Sequence, residues 1–303
     1  MLLKTLGVLL LSSAIGLANA QNTTSSNSNS TITPIASQYG DQFKNAGGKI
    51  LHDTVNVYII FYGDWTSSES QAEQTTFMNF VDNVSSTPWF STFKEYTDSN
   101  GNKVTGPLNV AAAVADSGSH GLSLTDTNTH KQIVLDAVNS GYLSATNSLD
   151  SNGVYVIMAG SNVNDSQFCH TNCGYNSYSD EFQYMFIGYP GTCSETCIPP
   201  VINSTSPNES PSIDAAVTIF SHEIQDLLTD PRNDAWIIQA NGGTIELGDF
   251  CAGQNVSQAQ WFGTLQQDEQ KNNSNYNIQV GDKKYLVQTV YSMEKKECVL
   301  SDE

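Results

Sequence analysis

Six cysteines, Cys169, Cys173, Cys193, Cys197, Cys251 and Cys298, constrain this 303-residue chain more than any other feature. Four of them form two Cys-x-x-x-Cys pairs, and whether they are bonded depends on the compartment. Residues 1–20 read as a cleaved signal peptide, with one positive charge at Lys4, an apolar stretch from Leu6 to Leu17 and the small-x-small ending Ala18-Asn19-Ala20. The stretch falls short of the ~20 residues needed to span a bilayer, and no second candidate span follows. The last residues, Cys298 to Glu303, carry neither a retention tetrapeptide nor a hydrophobic tail. The expectation is a secreted, extracellular protein starting at Gln21. In that oxidising setting an even set of cysteines reads as disulfides, and the preferred pairing joins Cys251 to Cys298 while the other four close among themselves. A zinc knuckle at the two Cys-x-x-x-Cys pairs would need free thiolates, which such surroundings oppose.

Composition narrows the partners. With 31 acidic and 12 basic side chains the formal charge is −19, so a nucleic-acid partner, which needs clustered Lys and Arg, is not expected. Sequons begin at Asn22, Asn29, Asn83, Asn164, Asn203, Asn208, Asn255 and Asn272, a density that suits a glycoprotein; Asn208 is the weakest, because Pro211 follows its Ser210. Residues 21–45 begin as a Ser/Thr/Asn tract and read as a flexible stalk, leaving 46–303 as one domain. Oligomeric state is not encoded in any feature of the chain.

Within that domain, Val55–Tyr62 is a β-branched and aromatic run that stops at Gly63-Asp64, the pattern of a buried strand. A helix over Ser67–Val84 and a second over the aromatic segment Trp89–Tyr96 should follow. Strands are expected at Leu108–Ala115, Val154–Ala159 and Gln183–Tyr189, with a helix near His130–Val138. Ile213–Leu228 is the longest helical pattern in the second half, closed by Pro231. Thr244–Leu247 and Lys284–Ser292 read as later strands, and Val201–Pro211 as a surface loop. The alternation predicts an α/β fold, a mixed β-sheet flanked by helices with a disulfide-bonded loop region.

One constellation carries chemistry. In Ser221-His222-Glu223-Ile224-Gln225-Asp226, His222 and Asp226 are four apart and share a helical face. The same spacing in His-Glu-x-x-His metallohydrolases aims two ligands at one zinc, with the intervening Glu as general base on the attacking water. Glu223 is therefore the candidate base. A third ligand must come from elsewhere: Glu246 or Asp249 in Glu246-Leu247-Gly248-Asp249, or Asp230 at the helix exit. Zn²⁺ is the suspected ion, while one imidazole among carboxylates also suits Ca²⁺ or Mn²⁺. The plain alternative is a half-exposed helix with unremarkable polar residues, Asp230 capping the turn before Pro231.

Other chemistries find less support. No Gly-x-Ser-x-Gly elbow occurs, and Gly118-Ser119-His120-Gly121 reads as a loop. Paired glycosidase carboxylates have no sequence spacing. Trp65, Trp89, Trp236 and Trp261 could stack on sugars of a cell-wall polymer, or fill the core.

Strand, helix, strands, edge strand and then a helix with His-Glu-x-x-Asp is also the order of zincin-like metallopeptidases. A closer match rests on Val57 to Trp65, Phe168-Cys169-His170-Thr171-Asn172-Cys173-Gly174, Cys193-Ser194-Glu195-Thr196-Cys197, Gly248-Asp249-Phe250-Cys251 and Cys298. On these the chain resembles the EXORDIUM, or phosphate-induced protein 1, family across residues ~50 to 300. The resemblance implies an extracellular or cell-wall location without an established reaction. It also implies a microbial-type branch with His-Glu-x-x-Glu-x-x-x-Asp-Pro and a later Glu-x-Gly-Asp, matched here by His222, Glu223, Asp230, Pro231, Glu246, Gly248 and Asp249; Asp226 departs from it. Two functions follow: a zinc-dependent hydrolase acting on an extracellular peptide bond, or a non-catalytic extracellular protein with a structural ion or none.

Overall fold

Apolar runs too continuous for a one-sided sheet build the centre of the molecule. In the computed structural model, which describes residues 35–144, 146–202, 206–240, 243–253 and 256–301, these runs lie within a sheet of five strands. These are β1 (Val55–Tyr62), β2 (Leu108–Asp116), β3 (Val154–Ala159), β4 (Gly174–Tyr178) and β5 (Gln183–Ile187), in the order β2-β1-β3-β5-β4. β1, β2, β3 and β5 are parallel, and β4 runs antiparallel to β5 at the edge. Every residue of β3 and β5 is buried, as parallel strands covered on both faces require.

Three helices cover the sheet: α1 (Ser68–Asn83), α2 (Thr127–Asn139) and α3 (Pro211–Thr229). Alternation along β4 shows the two layers. Tyr175 reaches His130 of α2, while Asn176 on the opposite face reaches Glu223 and Asp226 of α3. α1 lies beside α3, with Phe77 and Phe80 edge-on to Phe220 at 5.3 and 6.1 Å. The mixed α/β sheet fold read from the sequence is present.

Three disulfides join Cys169 to Cys193, Cys173 to Cys197 and Cys251 to Cys298. The preferred pairing holds, and no thiolate remains among the described residues for a zinc knuckle. The first two bridges bind the loop before β4 to the successive helical turns Pro190–Cys193 and Ser194–Cys197 after β5, so the edge strand is stapled at its start. Such bonds persist in an oxidising compartment, consistent with an extracellular protein. No described helix is long and apolar enough to cross a membrane.

Several boundaries differ from the sequence reading. Residues 1–34, with the expected signal peptide and the first part of the stalk, lie outside the described residues. The rest of the expected stalk is packed: Ile35–Tyr39 forms a helical turn, and Phe43 is 1% exposed with its ring 4.3 Å from that of Phe250. The folded unit thus begins before residue 46. The Trp89–Tyr96 segment is a short α turn, Pro88–Ser91, running into a 3-10 turn, Thr92–Glu95. Val201, Ile202 and Ser206 are buried rather than on a surface loop, the first two in a small cluster with Ala215, Phe262 and Leu286. Lys284–Ser292 is not one strand but two, Lys283–Tyr285 and Val290–Ser292. Between them the chain bonds to α3 instead of a neighbouring strand: Thr218 Oγ1 donates to Leu286 O at 2.8 Å, and Gln288 N donates to Ser221 Oγ at 2.9 Å.

Candidate metal centre

α3 starts and stops where its sequence directs. Ser210 Oγ accepts from Ile213 N at 3.3 Å as N-cap, Pro211 occupies the first turn, and Pro231 follows the last. The helix is not half-exposed: His222, Glu223 and Asp226 are 1%, 0% and 0% exposed. Burial of so many polar groups demands partners.

His222 is anchored from one side. Its Nδ1 lies 3.0 Å from Gln288 Oε1, and Gln288 Nε2 donates to Gly248 O at 2.6 Å. This orients the amide so that Nδ1–H donates to Oε1 and leaves the lone pair on Nε2. Nε2 has no hydrogen-bond partner and faces Asp226 Oδ2 at 3.5 Å and Asp249 Oδ1 at 3.9 Å. Asp226 Oδ1 accepts Gly248 N–H at 2.6 Å, and Asn176 Nδ2 donates to Asp226 Oδ2 at 3.2 Å and to Glu223 Oε2 at 3.3 Å. Glu223 Oε1 is buried and unpartnered. His222, Glu223 and Asp226 can bring one ligand atom each within 4.8 Å of one another.

Gly248 lets the second segment approach. A Cβ there would lie 2.9 Å from both Asp226 Oδ1 and His222 Nδ1, so the loop and helix meet only through a glycine. The same loop delivers Glu246, 5% exposed, and Asp249, whose Oδ2 accepts Glu246 N–H at 3.1 Å and whose side chain is 20% exposed.

Burial and crowding set the electrostatics of the cluster. Burial, and then the nearby Glu246, push Glu223 well above the usual carboxylate range; burial with Glu246, Asp249 and Glu223 does the same to Asp226. Burial raises Asp249 against the pull of His222, and burial lowers His222 despite Asp249 and Gln288. A neutral imidazole presenting Nε2 to crowded carboxylates is a set of groups that could hold a divalent cation, and Gln288 and Asn176 hydrogen-bond these groups from outside.

Other candidates lie elsewhere. Asp230 Oδ1 accepts the N–H groups of Asp234 and Ala235 at 2.7 and 2.8 Å, the turn-capping role, and burial lifts its carboxyl to about 6. His120 pairs with Asp136 of α2 at 2.9 Å. Trp65, Trp89 and Trp236 are core residues, at most 8% exposed, and so do not offer faces to sugars. A cleft of about 1350 Å³, lined by Lys49, His52, Tyr178, Asp180 and Arg232 among others, contains none of the cluster's five residues. The sequence reading missed Gln288 and Asn176. Neither has a spacing signal, although a polar residue inside an edge strand is a weak one.

The family model "Phosphate-induced protein 1 conserved region" matches residues 43–301. Two Arabidopsis thaliana proteins are similar: Protein EXORDIUM-like 5, 25% identical over 283 residues (83% of this chain and 75% of that protein), and Protein EXORDIUM-like 3, 26% identical over 271 residues (81% and 79%). No solved structure matches the chain. The chain therefore belongs to the phosphate-induced protein 1, or EXORDIUM, family.

Proposed function

We propose that this is a secreted EXORDIUM-family protein in which His222, Asp226 and Asp249, with Glu246 beside them, hold a divalent cation in a structural role. The observation that carries the reading is His222 Nε2: buried, without a hydrogen-bond partner, and facing two carboxylates. An imidazole nitrogen and aspartate oxygens suit Zn²⁺, and Ca²⁺ or Mn²⁺ are the harder alternatives that metal analysis separates. Burial of His222, Glu223 and Asp226 to 1% or less supports a structural ion over one that must meet a substrate. The ion would join α3 to the Glu246–Asp249 loop, so chelation should destabilise the fold. Thermal melts with and without chelator test this: a lowered midpoint, restored by one added divalent metal, is the expected result. An unchanged midpoint counts against it.

A second reading, hydrolysis of an extracellular peptide bond in a zincin-like domain, is supported by the unpartnered Glu223 Oε1 and by the antiparallel edge strand preceding the site helix. There Glu223 takes the proton of the attacking water. Turnover of a broad peptide library by wild type, lost by roughly 10²–10⁴-fold in Glu223→Gln, would favour it. The structural reading predicts no turnover in either, and full metal retention in Glu223→Gln.

A further inference from the structure

The described sequons divide by what their amide nitrogens already do. Asn83, Asn164 and Asn272 are exposed. Asn83 closes α1 with its Nδ2 2.9 Å from Asn79 O one turn back; Asn164 opens the short strand Asn164–Asp165; Asn272 sits in a turn with φ 51°. Each projects from the surface at the end or tip of an element.

Asn208 is different. It is half-buried, and its Nδ2 donates twice, to Asp214 Oδ1 at 2.6 Å and to Lys284 O at 2.8 Å. Its backbone N–H donates to Asp214 Oδ2 at 3.1 Å, so one residue satisfies both oxygens of a carboxylate that is 0% exposed. The rest of the sequon is equally engaged. Glu209 has φ 63° and accepts from Lys271 Nζ at 2.5 Å. Ser210 caps α3 and donates to Glu73 Oε1 at 2.5 Å, and Pro211 begins the helix. Asn208-Glu209-Ser210 is the clamp that starts the helix carrying His222.

We propose that Asn83, Asn164 and Asn272 carry N-linked glycans and that Asn208 carries none. The inference rests on the export reading above. Glycan transfer forms a bond from Nδ2 to the anomeric carbon of a lipid-diphosphate-linked oligosaccharide, breaks the anomeric C–O bond, releases the lipid diphosphate and costs Nδ2 one proton. At the three exposed sites that proton is free or bound within the residue's own helix. At Asn208 both N–H groups are used, so a glycan leaves either Asp214 or Lys284 O short of a donor in a buried site. Pro211 also fixes the backbone just after the acceptor serine.

The test uses the full chain with its own N-terminal segment in a eukaryotic secretory host. Protein from the medium is deglycosylated enzymatically in ¹⁸O water, and tryptic peptides are mapped. Asn-to-Asp conversion with ¹⁸O at 83, 164 and 272, and unmodified Asn208, is expected. Label at Asn208, or none at the three exposed sites, overturns the inference. Absence of the chain from the medium instead overturns the export reading, and the inference with it. Two variants give an independent readout. Asn272→Gln should lose one glycan mass with an unchanged melting point, and Asn208→Gln should lose no glycan mass but melt lower. Loss of a glycan in Asn208→Gln contradicts the proposal.

Discussion

His222 depends on Gln288 for its tautomer, and Gln288 depends on Gly248 O for its own orientation. Replacing Gln288 by Leu leaves a buried Nδ1–H without an acceptor and frees the ring to turn. Outer supports of this kind contribute about 10–100-fold to metal affinity, so Gln288→Leu should weaken binding by that factor in a competition titration against a coloured chelator. Unchanged affinity would remove Gln288 from the site. Gly248→Ala makes a separate demand, because its Cβ would meet Asp226 Oδ1 and His222 Nδ1 at 2.9 Å. Loop and helix must part, and a loss of about 1–3 kcal/mol in denaturant unfolding is expected, together with lower metal content. At this scale the sequence was half legible. The four-residue spacing of His222 and Asp226 is a local property of a helix, whereas Gln288 and Asn176 arrive through tertiary packing that no local pattern records.

α3 was legible as an element from its apolar spacing and from Pro231 at its exit; its start was read at Ile213, too late, because Ser210 and Pro211 were assigned to a loop, whereas Ser210 caps the helix and Pro211 opens it. Ser210→Ala should cost about 1 kcal/mol in chemical unfolding, or more, because Ser210 also donates to the carboxylate of Glu73. Burial raises Asp214, on the first turn, to about 6, above the ~3.9 of a free aspartate. The folded state then binds more protons than the unfolded state between about pH 4 and 6, and the stability this confers is present below about 4 and lost as pH rises through about 6. Glu223 and Asp226 shift in the same direction, while His222, lowered by burial, is a single group pulling the opposite way. Chelator-treated protein should therefore melt at a higher temperature at pH 5 than at pH 7, and a flat or opposite trend would contradict the burial argument. Metal binding requires ionised carboxylates, so metal-loaded protein should show less of this gain. The Lys284–Ser292 segment was illegible for a related reason: its apolar alternation suits a strand, but the middle of the run bonds to α3.

Across the whole molecule, the strand order could not be read from the chain, since it depends on crossover connections and not on periodicity. The buried strands themselves were plain, because parallel strands covered on both faces leave continuous apolar runs such as Val55–Tyr62 and Val154–Ala159. The cysteines limited the alternatives, and non-reducing mass spectrometry of the folded protein should find no free thiol. Two bridges hold the start of β4, which carries Asn176, and the third joins Cys251, just past the Glu246–Asp249 loop, to the C-terminal strand. The bridges thus brace two of the segments packed against the site helix, β4 with Asn176 and the loop with Asp249. Elemental analysis of protein purified without chelator tests the central claim most directly. Wild type should hold about one divalent ion per chain and His222→Ala far less, since three-ligand sites depend on each donor. No bound metal in wild type, or equal content in both proteins, would contradict the account.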